Sequence, residues 1–330
     1  MISIVLDAMG SDDRPAPEVE AAVIASNKFD VNILLIGDEV DLTKLLNEIE
    51  GDKSKIKIIH APEALEMSDH IQEARQKTKN TMRIGMELVK NGEAQAFVTA
   101  GNTGMAMYFA KKVFGDIKGV IRPCLCAIFP VKGGRCVVLD VGANAECRPD
   151  FLVQFAQMGS IYAKCMLDCN EPKVGLLSNG EEEGKGNNLV RETHPLLKDN
   201  IDNFIGNVEG KELFGGEVDV VVTDGFTGNV LLKSTEAVAK LIVNVLRKNL
   251  MATLRTKIGA LLAKPAFDSL RKMLDPAEIG AAPLLGIDGL VFVGHGRSDT
   301  RAMVSSVLIA KQAIEANLLE SLRISISDTL

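Results

Sequence analysis

The stretch VDVVVTDGFTGN, residues 218–229, decides the fold class. Its valines favour a strand buried on both faces, as in a parallel sheet, and the segment then changes abruptly to acid, glycine, threonine and asparagine. Gly225 and Gly228 permit a tight turn, and a helix is predicted to begin directly afterwards. The free N–H groups and the positive dipole end of that helix predict an anion site at the carboxyl end of the strand.

Strand-like runs recur along the whole chain, and most are separated by segments of helical length. They lie at 2–7, 31–37, 55–60, 94–100, 124–129, 135–142, 173–178, 203–208, 218–224 and 289–295. Because most of these runs lack a polar face, the alternation predicts a three-layer α/β/α fold with a mainly parallel sheet. The exception is 124–142, where two strands lie too close for a crossover helix and predict a hairpin around Lys132 to Gly134. No repeat or linker divides the sequence, which predicts a single domain over residues 1–330.

Charge and composition argue against several classes of function. The chain has 37 basic and 44 acidic residues, a net charge of −7, whereas general nucleic-acid binding requires a broad basic face. The N-terminus lacks a basic signal-peptide region, and no uncharged apolar run reaches the length of a membrane span, so we expect a cytoplasmic protein. The six cysteines form no metal-binding pattern, which predicts free thiols, and we expect neither a metal nor another cofactor.

Four further polar loops follow predicted strands: GNTGM (101–105), VGAN (141–144), NGEEEGKGN (179–187) and GHGRSD (294–299). In open α/β sheets ligands bind beyond the carboxyl ends of strands, so we expect one shared pocket at one sheet edge. Each loop alone could also be an ordinary turn with a helix cap. The third loop is one residue short of a P-loop, and the fourth has Asp299 in place of the third glycine of a dinucleotide fingerprint. These departures disfavour nucleotide hydrolysis and nicotinamide binding.

The segment 229–275 differs in composition from the rest of the chain. It carries nine basic residues against three acidic ones, and apolar residues recur at helical spacing up to a break expected at Gly259 and Pro265. One interpretation is a long helix packed on its own domain. The other is an antiparallel helical arm that dimerises and leaves a basic, apolar tip to contact an anionic membrane surface or an acidic protein. The apolar tip residues are Leu254, Ile258, Leu261 and Leu262.

Several loops together resemble one family. They are DAMGSD near the N-terminus, TAGNTGM, LDVGAN, NGEEEGKGN, GNVEG, TDGFTGN, and APLLGIDG followed by GHGRSD. Their order and spacing are similar to those of the bacterial phosphate acyltransferase of phospholipid synthesis, the PlsX family, over nearly the whole chain, with small departures at Ser11, Thr81 and Ala281. The resemblance implies transfer of a fatty acyl group from acyl carrier protein to inorganic phosphate. It also implies a fold similar to isopropylmalate dehydrogenases and phosphotransacetylases, a homodimer with a helical dimer arm, and peripheral membrane association.

That reaction requires little general acid–base chemistry, because phosphate is already largely dianionic at neutral pH and a thiolate leaves easily. The remaining tasks are to hold phosphate in line and to stabilise the developing oxyanion. Lys185, on a glycine-flanked loop, and Asn229, at the start of the arm helix, are the predicted catalytic residues, and their roles could be exchanged. The predicted phosphate and substrate site comprises Gly101, Asn102, Thr103, Gly104, Asn144, Asp224, Gly225, Thr227, Gly228 and His295.

For several of these residues a structural role is an alternative. The asparagines and threonines could be helix caps, Asp224 is expected to orient a loop rather than touch an anion, and Lys185 could be a solvated loop lysine. His295 could contact phosphate or hydrogen-bond its own loop. A covalent route through Cys147 is an alternative to direct attack by phosphate. The alternative functions are a non-catalytic, membrane-associated scaffold of lipid synthesis and a dehydrogenase of the similar fold.

Overall fold

Eleven strands form one sheet in the part of the chain that the computed structural model describes, which is residues 1–69, 71–275, 277 and 280–327. The strands are β1 Ser3–Asp7, β2 Asn32–Gly37, β3 Ile56–His60, β4 Ala96–Thr99, β5 Cys124–Val131, β6 Gly134–Leu139, β7 Val174–Leu177, β8 Phe204–Val208, β9 Val220–Val222, β10 Ala282–Leu285 and β11 Leu290–Val293. Their order across the sheet is β3-β2-β1-β4-β11-β10-β5-β6-β9-β7-β8.

Helices cover both faces of this sheet. They are α1 Ala16–Phe29, α2 Glu39–Glu48, α3 Ile71–Gln76, α4 Thr81–Lys90, α5 Thr103–Val113, α6 Pro149–Met166, α7 Asn188–Asn200, α8 Gly210–Gly215, α9 Gly225–Leu250, α10 Leu254–Leu262, α11 Lys264–Leu274, α12 Thr300–Glu315 and α13 Leu318–Ser327. Because successive strand residues point to opposite faces, Ile4 and Leu6 belong to one hydrophobic core and Val5 to the other. The predicted three-layer α/β/α architecture is confirmed, as is the hairpin, which pairs β5 with β6.

The strands do not all end at one edge of the sheet, although the sequence predicted that their loops would share one edge. Strands β3, β2, β1, β4 and β11 are parallel to one another, and so are β6, β9, β7 and β8. Three successive antiparallel pairings, β11 with β10, β10 with β5 and β5 with β6, separate the two groups. The carboxyl ends of the two groups therefore point in opposite directions. The sequence prediction was wrong here because it missed β10, a four-residue strand that contains Pro283.

The arm projects from the body as α9, α10 and α11. In α9 the buried residues are Gly225 and Gly228, and the stripe from Val238 to Val245 is at least half exposed, so the interpretation as a helix packed on its own domain is wrong for this stretch. Gly259 lies inside α10 and does not break it, contrary to expectation. One break lies between α9 and α10, and the other lies at Ala263, directly before α11, in agreement with the break expected at Pro265, the second residue of α11.

No single helix within the described ranges is long and apolar enough to cross a membrane, although the bent pair α12 and α13 meets that criterion when taken together.

Candidate active-site cleft

A buried aspartate organises the loop that follows β6. The Asp140 carboxylate accepts the backbone N–H groups of Leu125, Gly142, Ala143 and Asn144 at 2.6 to 3.2 Å, and the Asn144 side-chain amide at 2.9 Å. Burial raises the pKa of Asp140, and these hydrogen bonds act in the opposite direction. The Asn144 side-chain amide also donates to Pro123 O at 2.8 Å, so this side chain fixes the shape of the loop. It was predicted to contact phosphate instead.

The first turn of α9 packs directly on this loop. A Cβ atom at Gly228 would lie 1.9 Å from Asp140 O, and one at Gly225 would lie 2.4 Å from Asn144 O. Only glycine therefore allows the close approach. The expected phosphate contacts of this turn are not available in this conformation. The Gly225 N–H donates to Asn144 O at 2.8 Å and the Gly228 N–H to Asp224 O, while Asp224 caps the helix by accepting the N–H and hydroxyl of Thr227.

Asn229 follows this turn and is exposed. Its side-chain Cγ lies 3.7 Å from the point where a Cβ atom of Gly142 would be, and Gly142 has a φ of 138° that favours glycine. The Asn229 amide has no hydrogen-bond partner among the described residues. It is therefore a neutral donor held beside the Asp140 loop and free to bind a substrate oxygen.

The face of α9 that carries Asn229 also carries Lys233 and Glu236, four and seven residues further on. The Lys233 ammonium lies 3.0 Å from a Glu236 carboxylate oxygen. Both line a cleft of about 630 Å³ together with Asp12, Met67, and the loops 101–104 and 294–297. Helix α9 thus places residues from the edge where β9 ends against loops that follow β1, β4 and β11.

The amino-terminal end of α5 forms part of the opposite wall. Asn102 is the cap, since its side chain accepts Met105 N–H at 3.1 Å and donates to Met67 O at 3.1 Å. The Gly101 N–H is bonded to the Thr99 hydroxyl at 3.0 Å. The N–H groups of Thr103 and Gly104 have no partner in the described part of the chain, and the helix dipole adds positive potential there. Among the described residues, the backbone N–H of Asn102 also lacks a partner, so three of the four predicted amides are free to bind an anion.

His295 lies in the same cleft. Its Nδ1 atom accepts the Arg297 N–H at 3.1 Å, so Nε2 carries the proton when the ring is neutral. Partial burial and the positive charges of Lys233 and Arg297 lower the pKa of His295, whereas Glu236 and Asp12 act in the opposite direction. The ring is therefore neutral at pH 7 and keeps Nε2–H as a donor at the cleft.

Lys185 lies on the exposed loop between β7 and α7. Its backbone N–H bonds Glu182 O at 2.9 Å, and the neighbouring Gly186 N–H bonds the Asn179 side chain at 3.0 Å. Its ammonium has no ion-pair partner among residues that the structure describes. Because β7 and β9 are neighbouring parallel strands, this loop and the start of α9 lie at the same edge. No hydrogen bond joins Lys185 to Asn229 in this conformation.

The Cys147 thiol and a cluster of three glutamates are poorly suited to nucleophilic attack and to metal binding, respectively. Burial raises the pKa of Cys147 to about 12, so the thiolate required for a covalent route is disfavoured at neutral pH. Three glutamates, Glu181, Glu209 and Glu212, lie close enough to hold a cation, but Lys211 already contacts all three carboxylates.

Four charged residues that line the cleft were absent from the predicted site: Asp12, Lys233, Glu236 and Arg297. Lys233 and Glu236 could have been found from their spacing, because they lie about one and two helical turns beyond Asn229. The other two required knowledge of how the loops after β1 and β11 approach α9.

Comparison with known proteins identifies the family. A family model described as "Fatty acid synthesis protein" matches residues 2–321. A protein named phosphate acyltransferase from Thermus thermophilus is 45% identical over 97% of this chain and 97% of its own length, and one from Acidobacterium capsulatum is 43% identical over 98% and 96%.

Solved structures share the fold at low sequence identity. A phosphotransacetylase from Streptococcus pyogenes superposes with a TM-score of 0.61 at 18% identity, covering 95% of this chain and 94% of that one. A branched-chain phosphotransacylase from Enterococcus faecalis gives a TM-score of 0.57 at 14% identity, covering 95% and 100%. The relatives confirm the resemblance stated from the loops, and the chain belongs to the fatty acid synthesis protein family, the PlsX family, whose curated members include these phosphate acyltransferases.

Proposed function

We propose that the protein transfers a fatty acyl group from the thioester of acyl carrier protein to inorganic phosphate. A phosphate oxygen attacks the thioester carbonyl carbon, the C–S bond breaks, and acyl phosphate and the carrier thiol are released. Family membership supports this reaction, and so does one observation in the structure. Thr103 and Gly104, whose N–H groups are free among the described residues, line a single cleft together with Lys233 and His295.

In this proposal the cleft binds phosphate through donors and one cation. Two backbone N–H groups and the Nε2–H of His295 donate to its oxygens, and Lys233 supplies positive charge. Glu236 holds the Lys233 side chain in place. A neutral His295 suits this role, since it donates a hydrogen bond without requiring a change of protonation.

Stabilisation of the thioester oxygen falls to Asn229 and Lys185. Asn229 lies about 6 Å from Lys233 along the helix axis, at four residues of 1.5 Å each. An acyl carbon beside Asn229 would therefore be within reach of a phosphate held near Lys233. Lys185, unpaired among the described residues on the neighbouring loop, would approach from the β7 side. The two residues keep exchangeable roles, as in the sequence prediction.

We also propose that the arm forms a homodimer and that its tip contacts anionic membrane, while the body remains in the cytoplasm. The four tip residues are 54% to 79% exposed, and α10 has no buried residue. Inserting each apolar side chain would contribute about 1.5 to 3 kcal/mol as an upper bound. Nearby basic residues would add about 1 kcal/mol each at an anionic surface.

The test of the reaction is release of the carrier thiol when the protein is mixed with acyl-acyl carrier protein and phosphate. We expect phosphate-dependent release, with large losses of kcat in Lys185→Ala and Asn229→Ala. Lys198→Ala and Asn200→Ala on α7, both at exposed positions, are the matched controls and keep parent activity. If both active-site variants fold and react at the parent rate, the assigned roles are wrong. A parent protein that binds phosphate without releasing thiol favours the scaffold function instead.

A further inference from the structure

A buried carboxyl group lies behind the cleft. Glu18, in the first turn of α1, is 0% exposed, and its Oε1 atom accepts the Ser11 N–H at 3.1 Å. Its Oε2 atom and the Ser11 hydroxyl are both buried, and neither makes a hydrogen bond of good geometry in the described ranges, although the hydroxyl lies near enough to Glu18 to favour the charged form. A buried carboxylate with one unsatisfied oxygen is costly, whereas a neutral carboxyl group tolerates this environment better.

The segment that Glu18 holds is in contact with both loops of the phosphate site. Next to Ser11, the Asp12 N–H donates to Gly296 O at 2.7 Å, which ties the segment to the loop that carries His295. On the other side, a Cβ atom at Gly10 would lie 2.8 Å from Gly101 N. The segment 10–12 is thus packed between the loops, and a displacement of Ser11 would move both walls of the cleft.

We propose that Glu18 is a positioning residue, which keeps segment 10–12 in place while it is protonated and loosens phosphate binding when it loses the proton. The proposal rests on the phosphate site assigned above. Desolvation by burial raises the pKa of Glu18 to about 7, hydrogen bonds from Ser11 act in the opposite direction, and the charge of Asp7 on β1 adds a smaller rise. The group therefore changes charge within the physiological range, being neutral below pH 7 and ionised above it.

The other charged residues near α1 are engaged elsewhere or exposed. Arg14 bonds Met9 O and Leu65 O. Burial raises the pKa of Asp7, and the charge of Arg14 opposes that rise. On α12, which packs along α1, Arg301 pairs with Asp275 and Lys311 with Glu315. Strand β2 has no charged or titratable residue. Those of α2 and β3 are all exposed: Glu39, Asp41, Lys44, Glu48, Lys57 and His60. Asp7 is the one charged group that acts on Glu18 among the causes of its shift.

The test compares phosphate affinity by titration calorimetry at pH 6 and pH 8.5 in the parent and in Glu18→Gln. Glutamine keeps the acceptor for Ser11 N–H but cannot ionise. At each pH we take the ratio of the parent's dissociation constant to that of Glu18→Gln. This ratio cancels the ionisation of phosphate, which affects both proteins equally. We expect the parent to lose affinity relative to Glu18→Gln by about fivefold between the two pH values, at the low end of coupling between linked sites. Glu20→Gln, an exposed position two residues along α1, is the control and follows the parent.

A parent-to-variant ratio that does not change with pH overturns the proposal. If Glu18→Gln does not fold, Ser11→Ala replaces it, since the backbone bond remains and the nearby hydroxyl that could solvate the ion is lost. We then expect the loss of phosphate affinity to begin at higher pH in Ser11→Ala than in the parent. If the midpoint pH of that loss is the same in both proteins, the proposal is overturned. Phosphate binding without thiol release refutes the proposed reaction and leaves this inference standing. A parent that binds no phosphate refutes both.

Discussion

Replacement of Asp140 by asparagine should destabilise the protein by about 3 kcal/mol. The carboxylate accepts three N–H groups at Oδ1 and two at Oδ2, all within 3.2 Å. An amide that keeps the three bonds at Oδ1 turns its NH₂ group toward the Asn144 donors and loses the two bonds there. Hydrogen bonds to a charged group contribute about 1.5 to 3 kcal/mol each, so the loss is about 3 to 6 kcal/mol. Relief from burying a charge offsets part of this loss.

The assay is urea unfolding at pH 7 and at one fixed protein concentration, which holds any dimer contribution constant. Asp150→Asn is the matched control, because its partly exposed carboxylate pairs with Arg148 at the surface and should change stability by less than about 1 kcal/mol. Since the Asp140 loop lies against the start of α9, the Asp140 variant should also lose activity while Asp150→Asn does not. A free energy of unfolding within about 0.5 kcal/mol of the control would show that the loop is not organised by this carboxylate.

Three further outcomes are expected. Lys233→Ala should raise the KM for phosphate about tenfold or more, since a charge-assisted contact of about 1.5 to 3 kcal/mol is lost. Lys240→Ala, at an exposed position further along α9, should leave the KM unchanged. Equal KM values for the two variants would show that Lys233 does not bind phosphate. A double Leu261→Asp, Leu262→Asp variant should no longer float with anionic liposomes while its thiol release in solution persists, and flotation like the parent's would contradict the membrane contact. Cys147→Ser should retain activity and the parent should form no trapped acyl-enzyme, whereas loss of activity in a folded variant would favour the covalent route.

Hydrophobic runs predicted most of the sheet, because strands buried on both faces leave a clear apolar signature in the sequence. All four residues of β4, for example, are buried. Strand β10 left no such signature, since it has only four residues and includes Pro283. Its omission hid the reversal of direction between the two groups of strands. The common edge expected for all the loops was therefore wrong because one short strand, and with it a change of strand direction, was missed.

The candidate site was harder to predict, because glycine and asparagine fit both ligand contact and close packing. Gly225 and Gly228 were predicted to expose their amides, but the structure uses their lack of a side chain to seat α9 on the Asp140 loop. Asn102 and Asp224 are helix caps, one of the alternatives that the sequence allowed. Thr103 and Gly104 remain candidates because their amides lie at a helix start that faces the cleft. A sequence motif identifies residues that occur together, but only the packed structure shows which of their N–H groups lack a hydrogen-bond partner.

Helix α9 explains how a sheet with opposed halves can form one cleft. A strand of three residues such as β9 spans about 10 Å. The helix rises about 12 Å from Gly225 to Lys233, at 1.5 Å per residue. It therefore starts at one edge of the sheet and reaches the loops of the other edge in slightly more than two turns. Since Gly225 and Gly228 are the buried residues of α9, its direction is determined mainly by backbone contact with the Asp140 loop. A side chain at Gly228 would tilt the helix and move Asn229 and Lys233 together, so these glycines determine the geometry of the cleft even though their N–H groups are bonded within the protein.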